Sequence, residues 1–367
     1  MFKKIITFTL ILLINIILLE LISFAFWSLK ISKINDSGVW FVRKALNDSK
    51  INSEQYIISH PYSLYWNNPN YINEYGNQYN SKGYRSEEIS NERLKQSKII
   101  LVYGGSTTNS YPYVKNRKKI WTSLLQQKLR NHFNRNNIFV VNAGLSGATS
   151  AEIMVNYFMN GKYLDPKLVI LHTGANDVSP LMWAGRYEYK SDYSNIRSSN
   201  ASVLFRPGEK TILKFSYFAR IIYSRWLNQE NFTAIVQSHP DKLSKLSEEE
   251  RLDSINKHQP TAFSSNLEAI IKNVISEKGK ALLIPVPFDS NKKSSNYESI
   301  LLGGKKMMFE MEKIAQKYNQ FFFEIDGSKL KSSWFLDMMH LNENGHEEKA
   351  IQIYNFIISN FDLSDFQ

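Results

Sequence analysis

Four short sequence blocks contain the residue types that an acyl-transfer site needs. In chain order they are Gly104-Gly105-Ser106-Thr107, Asn142-Ala143-Gly144-Leu145-Ser146-Gly147, Gly174-Ala175-Asn176-Asp177 and Asp337-Met338-Met339-His340. A serine hydroxyl is a poor nucleophile until a neighbouring base removes its proton, and a histidine oriented by a carboxylate is such a base. The blocks therefore predict Ser106 as the nucleophile, His340 as the base and Asp337 as the acid.

Each of these catalytic residues also has a plainer interpretation. Ser106 in a glycine turn is compatible with a phosphate-binding loop, but no Gly-Lys-Ser/Thr ending follows, which argues against a P-loop. Asp337 and His340 stand three residues apart, a spacing that also occurs in ordinary surface turns. Asp177 is a second, less favoured candidate for the acid.

The same blocks contain donors for the oxyanion that forms when a serine attacks a carbonyl carbon. Preorganised N–H groups aimed at that oxygen are among the largest contributions to acyl-transfer catalysis. The backbone N–H groups of Ser106 and Gly147 and the side-chain amide of Asn176 are the predicted donors. Gly147 has no side chain, so the substrate can approach its backbone closely.

Strand-like and helix-like patterns alternate through most of the chain, which predicts a parallel β-sheet covered by helices on both faces. Functional loops then lie at the carboxyl ends of the strands, where the first three blocks fall. The predicted strands are 98–103, 138–141, 168–172, 281–285 and 321–325, and the predicted helices are 120–133, 150–163, 263–276, 297–318 and 344–361.

With its blocks in this order, the sequence resembles the SGNH/GDSL hydrolase superfamily, in a membrane-anchored form. The matching positions are Ser106, Gly147, Asn176, Asp337 and His340. The resemblance runs from about residue 98 to 361, apart from an insertion, and implies a three-layer α/β/α flavodoxin-like fold without a metal or organic cofactor. Gly105 stands where the Gly-Asp-Ser form has aspartate. Upstream, the segment 80–85 is similar to one that precedes the nucleophile strand in anchored members.

The amino terminus predicts a retained membrane anchor. Lys3 and Lys4 precede about 23 mostly apolar residues, 5–27, enough to cross a hydrocarbon core. The bulky residues 24–29 do not resemble a signal-peptidase site. We expect a single-pass protein with a cytoplasmic amino terminus and an extracytoplasmic catalytic part, in the periplasm or at the cell surface. Glu20 either contacts a partner membrane helix or makes no specific contact, and the latter is favoured.

The chain divides into an anchor (1–29), a stalk and wrapping segment (30–96) and a hydrolase domain (97–362). An insertion at about 179–258 interrupts the domain, and its length at the catalytic edge predicts a lid or substrate platform. Among the other histidines, His172 is expected in the core and His346 on the solvated face of the last helix. The remaining histidines show no metal-ligand spacing.

Composition narrows the function further. The absence of cysteine excludes disulfides, thiol catalysis and cysteine-ligated metals. The net charge is +11, from 45 Lys+Arg and 34 Asp+Glu. The basic residues are scattered and no nucleic-acid-binding motif is present, so a basic surface facing anionic envelope material is favoured over nucleic acid.

These observations predict a membrane-anchored, extracytoplasmic serine esterase that acts on short acyl esters such as O-acetyl groups, carried by an envelope glycan or lipid. Two alternatives stay open. The same residues could pass the acyl group to a sugar hydroxyl of an envelope polysaccharide, as an O-acyltransferase. The fold could also have become a non-catalytic glycan-binding protein.

Overall fold

The computed structural model describes residues 2–30, 56–60, 63–94, 96–183, 193, 216–219, 221–222, 246–292 and 297–361. Its chain divides into two compact units. The smaller contains Met1–Gln55 and Arg197–Asp241, and the larger contains Tyr56–Ile196 and Lys242–Gln367. Residues 31–55 of the predicted stalk and wrapping segment (30–96) and most of the predicted insertion lie outside the described residues.

Helices and short strands alternate along the described chain. They are α1 Phe2–Lys30, β1 Ile57–His60, β2 Leu64–Asn67, β3 Ile72–Asn73, β4 Gly76–Asn77, α2 Asn91–Leu94, β5 Lys98–Gly104, α3 Ser106–Asn109, α4 Trp121–Phe133, β6 Ile138–Asn142, α5 Ser150–Met159, β7 Leu168–His172, α6 Val178–Trp183, α7 Glu248–Lys257, α8 Thr261–Ser276, β8 Lys280–Leu283, α9 Tyr297–Lys317, β9 Phe321–Phe322 and α10 Glu343–Asn360.

Within the described part of the larger unit, five parallel strands form one sheet in the order β6-β5-β7-β8-β9. The central strands are buried along nearly their whole length because helices cover both faces. On one face α4 packs against α10, and on the other α5 packs against α8. The predicted α/β class with a helix-covered parallel sheet is confirmed.

Some predicted elements are shorter than expected. β8 ends at Leu283 rather than residue 285, and β9 covers Phe321–Phe322 rather than 321–325. Prolines at 285 and 287 have no N–H to donate to a strand ladder, which limits β8 and its partner. The helix predicted over 150–163 ends at Met159, and a 3₁₀ turn at Gly161–Leu164 follows. The N–H of Asn160 makes the last bond of the helix, to the Asn156 carbonyl, and a Cβ at Gly161 would lie 2.2 Å from the Tyr103 hydroxyl, so the chain passes close to β5 there.

The smaller unit contains the apolar helix α1. Residues Ile6–Phe26 have a mean hydropathy of 2.5 and, of the helices described, are the stretch long and apolar enough to cross a membrane. The interpretation that Glu20 makes no specific contact is wrong. Its carboxylate accepts hydrogen bonds from the Ser216 hydroxyl and from the Tyr217 N–H, at 2.6 Å for the latter. Both donors belong to the same unit.

Candidate active site

Ser106 lies at the carboxyl end of the central strand β5. The strand ends at Gly104, and Ser106 is the first residue of the short helix α3. The N–H of Ser110, a residue in the left-handed conformation, donates to the Ser106 carbonyl and closes the helix. The sharp change from strand to helix leaves the Ser106 side chain partly exposed at the sheet edge.

His340 and Asp337 form a chain of hydrogen bonds with Ser106. The Ser106 Oγ lies 2.7 Å from His340 Nε2, and His340 Nδ1 lies 2.6 Å from Asp337 Oδ2. An ionised carboxylate can only accept, so Nδ1 carries the proton and Nε2 accepts from the serine hydroxyl. His340 is 8% exposed, which keeps competing water from most of its ring.

The turn that carries this pair is built by its own hydrogen bonds. Asp337 Oδ1 accepts from the backbone N–H groups of Met339 and His340, both at 2.9 Å. Burial by itself would raise the pKa of Asp337, but hydrogen bonds from the His340 ring and these N–H groups outweigh it and hold the pKa below its usual value. Asp337 therefore stays ionised at neutral pH.

The predicted oxyanion donors come from the loops that follow β6 and β7. Gly147 has a φ of +78°, a conformation that residues with a Cβ rarely adopt. The Asn176 amide donates to the Ala148 carbonyl at 2.8 Å, which fixes the side chain. Its Nδ2 carries a second hydrogen that this contact does not use. The structure thus brings Ser106, Gly147 and Asn176 to one edge of the sheet.

Gly105 has a specific steric role in this arrangement. A Cβ built at Gly105 would lie 2.4 Å from Asn176 Nδ2, far inside van der Waals contact. Gly105 stands where the Gly-Asp-Ser form has aspartate, and the Asn176 amide packs directly against it. A larger residue here requires Asn176 to occupy a different position.

We expect Gly105→Ala to lower kcat/KM on an acetyl ester by about 10- to 100-fold, because displacing the Asn176 donor removes much of a contribution worth about 10² to 10³. Ester-hydrolysis kinetics of Gly105→Ala, Asn176→Ala and the double variant check this. When Asn176 is already replaced by alanine, adding Gly105→Ala should lower kcat/KM by less than about threefold. An equal loss in both backgrounds would contradict the steric explanation.

Comparison with known proteins identifies the family. The sequence profile of the GDSL-like Lipase/Acylhydrolase family matches residues 102–348, about two thirds of the chain. The chain belongs to this family. Its members are lipases and acylhydrolases, so the protein is an ester-hydrolysing enzyme, and the resemblance drawn from the four blocks is confirmed. No curated protein matches the chain in sequence.

The chain is also similar to solved esterases. An acetyl xylan esterase, AlAXEase, is 14% identical, with 71% of this chain and 99% of that one covered and a TM-score of 0.43. The acetylxylan esterase Axe2 from Geobacillus stearothermophilus is 14% identical, with 72% of this chain and 95% of that one covered and a TM-score of 0.43. The psychrotrophic esterase EstA from Pseudoalteromonas sp. is 14% identical, with 71% of this chain and 100% of that one covered and a TM-score of 0.39.

The structure adds to the site an aromatic residue that sequence reasoning missed. The Tyr113 ring stacks on the His340 ring, with centroids 3.7 Å apart and planes 12° from parallel. A phenol face over an imidazole restricts the rotation of the imidazole and stabilises its protonated form. Burial raises the pKa of Tyr113, and the Asp337 charge raises it further, so the phenol stays neutral. No motif marks Tyr113, because its partner is 227 residues away.

The loop that carries Tyr113 is held by a buried arginine from the upstream wrapping segment. Arg85 donates to the carbonyls of Asn109 and Val114, both at 2.6 Å, and to that of Lys115 at 3.2 Å. Burial lowers the pKa of Arg85 to about 10, so the side chain is still a cation at neutral pH. The segment at 80–85 therefore supports the position of His340 through the loop at 109–115.

We expect Tyr113→Leu to lower kcat/KM by about 3- to 30-fold, the range of a stacking or cation–π contribution of about 0.5 to 2 kcal/mol. Tyr113→Phe retains the ring and should stay within about twofold of the parent. Steady-state kinetics with pH profiles of all three proteins check this, since weaker stabilisation of the imidazolium shifts the acid limb. Similar losses for Leu and Phe would point to the hydroxyl instead.

Asp177 belongs to a different hydrogen-bond network from the Asp337–His340 pair. Its Oδ1 accepts from the Ser150 N–H at 2.9 Å, the Ser150 hydroxyl at 2.6 Å and the Tyr193 hydroxyl at 2.8 Å. Burial raises the pKa of Asp177 to about 6, although the hydrogen bonds from Ser150 and Tyr193 oppose the rise. Asp177 therefore fixes the start of α5 beside the Asn176 loop, whereas Asp337 faces His340.

This pKa predicts a pH-dependent stability. A carboxyl whose folded pKa is raised contributes stability that is present below about pH 4 and is lost as pH rises through about 6. A rise from 3.8 to about 6 corresponds to about 3 kcal/mol. We expect the Tm of the parent relative to Asp177→Asn to fall by about 5 °C or more between pH 4 and 7. Parallel Tm profiles for the two proteins would contradict this.

Two other histidines, His172 and His346, are buried in the larger unit. The solvated position predicted for His346 is therefore wrong. His346 is 2% exposed, and its Nδ1 accepts the Trp121 N–H at 3.0 Å, because α10 packs this face on the start of α4. His172 lies in the core, as expected. Its Nδ1 donates to the Ile284 carbonyl at 3.0 Å, so its Nε2 accepts from Lys349 Nζ at 2.6 Å. Burial lowers the pKa of Lys349 well below its usual value.

Proposed function

We propose that this protein is a membrane-anchored, extracytoplasmic serine esterase that hydrolyses short acyl esters through Ser106, His340 and Asp337. One observation carries the proposal: the hydroxyl of Ser106 and the carboxylate of Asp337 lie at hydrogen-bonding distance from opposite nitrogens of His340, at 2.7 and 2.6 Å. That geometry readies the serine for attack and orients the base that serves it.

In the first half of the reaction, Ser106 Oγ attacks the ester carbonyl carbon while His340 Nε2 takes the hydroxyl proton. Asp337 stabilises the imidazolium that forms. The carbonyl oxygen becomes an oxyanion, which accepts hydrogen bonds from the N–H groups of Ser106 and Gly147 and from the Asn176 amide. When the intermediate collapses, the bond to the alcohol oxygen breaks and His340 returns the proton to that oxygen.

In the second half, water replaces the alcohol. His340 Nε2 takes a proton from the water as its oxygen attacks the acyl carbon, and a second tetrahedral intermediate forms in the same oxyanion hole. Its collapse breaks the bond to Ser106 Oγ, which recovers the proton from His340. The products are the free acid and the alcohol, and the enzyme returns to its starting state.

The short acyl group is supported by the small cavity beside the nucleophile. Its lining includes Ser106, Gly174, Asn176, Val286 and Met339. Its volume is about 10 Å³, close to the space that one water molecule needs. A methyl group of an acetyl ester is of this size, and a longer acyl chain requires these side chains to move.

The location is supported by the anchor. Ile6–Phe26 is long enough for a bilayer, and Lys3 and Lys4 before it favour a cytoplasmic amino terminus. When this helix crosses the bilayer, the described residues that follow it lie on the other side. An ester on an envelope glycan or lipid is a substrate that such an enzyme can reach, and the net charge of +11 favours an anionic one.

The proposal is tested with the full chain in detergent, on p-nitrophenyl acetate, butyrate and octanoate. We expect kcat/KM to fall at least tenfold from acetate to butyrate. Val286→Ala, which enlarges the cavity, should recover butyrate hydrolysis, whereas Ile275→Ala on an exposed site of α8 should not. Equal rates on all three esters would exclude the short-acyl preference.

The O-acyltransferase alternative uses the same acyl-enzyme and differs in what attacks it. Adding soluble oligosaccharide acceptors to the acetate assay separates the two functions. A hydrolase releases acetate at the same rate with or without an acceptor. A transferase forms acetylated sugar faster than free acetate, which would replace hydrolysis as the physiological reaction. A non-catalytic glycan-binding protein would show no turnover that depends on Ser106.

A further inference from the structure

Glu20 of the anchor helix holds a short segment from the other part of its unit. Its carboxylate accepts hydrogen bonds from the Ser216 hydroxyl, from the Tyr217 N–H at 2.6 Å and from the Phe218 N–H at 3.4 Å. The Tyr217 ring meets the Phe24 ring edge to face, with centroids 4.9 Å apart. A helical turn of the chain starts at this contact, at residues 217–219.

The contact lies at a depth where lipid surrounds a membrane anchor. Glu20 is six residues before Phe26, the last residue of the apolar stretch, which corresponds to about 9 Å along a helix. A carboxylate in hydrocarbon is costly, and so are the backbone N–H groups at the start of a helical turn. Here the Glu20 carboxylate accepts the hydrogen bonds that these N–H groups donate, so neither group is left unpaired in a lipid environment.

The two exposed residues among those that the structure describes in this segment are apolar. Phe218 is 39% exposed and Ile222 is 45% exposed, while the anchor residues next to Glu20 are exposed too. Tyr217, Tyr223 and Trp226 add in sequence the aromatic types that are enriched at membrane interfaces. In water the exposed Phe218 and Ile222 side chains would add to the exposed apolar surface of the anchor, whereas acyl chains can cover both.

We propose that residues 216–219 and 221–222 belong to a second membrane-embedded element, which lies in the outer leaflet against Glu20 and presents Phe218 and Ile222 to lipid acyl chains. This rests on the membrane anchor of the proposed function. The insertion is then held at the bilayer by this segment as well as being joined to the hydrolase domain through the chain. Lipid acyl chains cover the exposed apolar side chains of the segment.

The chain contains no cysteine, so single cysteines can be introduced and labelled without background. In the test, the full chain with Phe218→Cys or Ile222→Cys is labelled at the new cysteine with an NBD fluorophore. Each labelled protein is reconstituted into phosphatidylethanolamine/phosphatidylglycerol vesicles that contain brominated phosphatidylcholine as the quencher. Ile17→Cys in the anchor is the buried-in-lipid reference, and Tyr163→Cys, 71% exposed in the larger unit, is the aqueous one. We expect quenching at 218 and 222 of at least half that at 17, and little at 163.

The outcomes separate this proposal from the anchor. Strong quenching at 17 with none at 218 and 222 would overturn the embedded segment and leave the anchor intact. No quenching at 17 would overturn the anchor itself, and this proposal with it.

The role of Glu20 has its own test in the same system. Glu20→Ala should lower the quenching at 222 at least twofold while the signal at 17 is unchanged, because the segment loses its acceptor but the anchor stays inserted. Glu20→Gln retains an acceptor oxygen and should lose less. Unchanged quenching at 222 in Glu20→Ala would overturn the docking on Glu20.

Discussion

Replacing Ser106 by alanine is expected to lower kcat/KM for p-nitrophenyl acetate by at least about 10⁴-fold, the largest effect of any single change in this protein. The variant has no oxygen to form the acyl-enzyme, and His340 has no proton to remove. The oxyanion donors remain in place, so a small residual rate above that of water is expected. Initial-rate kinetics of the full chain over several decades of enzyme concentration measure the loss.

A matched serine makes this result specific. Ser276 is exposed at the end of α8, where its hydroxyl donates to the Asn273 carbonyl, and Ser276→Ala should leave kcat/KM unchanged. Circular dichroism should show the same fold in both variants. A Ser106→Ala protein that retained more than a tenth of the parent rate would place the nucleophile at another residue.

The second large effect is expected for Asp337→Asn, at about 10³- to 10⁴-fold in kcat/KM. The carboxylate accepts the Nδ1 proton of His340 at 2.6 Å, whereas an amide at this position can donate to Nδ1 instead. The proton would then lie on Nε2, which could no longer accept from Ser106. The shape of the turn should be retained, because an amide oxygen can still accept from the Met339 and His340 N–H groups.

Asp177→Asn is the matched control, because Asp177 is the other acid that the sequence offers for the catalytic role. Its carboxylate contacts Ser150 and Tyr193, so its loss should cost less than about tenfold in rate and act mainly on stability. Kinetics of the two variants at pH 7 and 8 make the comparison. A larger loss for Asp177→Asn than for Asp337→Asn would reverse the assignment of the acid.

The contrast between these two aspartates illustrates what local spacing can determine. Asp337 and His340 are three residues apart, so the chain itself brings the carboxylate to the ring in a single turn. Asp177 stands beside Asn176 in a block that looks equally catalytic in sequence. Its partners, Ser150 and Tyr193, come from other elements, and the folded chain was needed to show them.

The sequence alone determined the framework of this protein and the residues it offers for chemistry. Apolar runs alternate with helical patterns, and the runs that become β5, β6 and β7 are each followed by one of the blocks. Because parallel strands share one carboxyl edge, Ser106, Gly147 and Asn176 were predictable as neighbours. Their assignment to an acylhydrolase family followed from the same order.

Only the tertiary structure decided the contacts between residues far apart in sequence. Tyr113 stacks on His340, Arg85 holds the loop that carries Tyr113, and Gly105 provides the space for Asn176. His346 is buried because of how α10 packs, and Glu20 is satisfied by a segment almost 200 residues away. Periodicity and spacing report on neighbours along the chain, whereas these contacts depend on which surfaces meet after folding, and that information appears only with the packed structure.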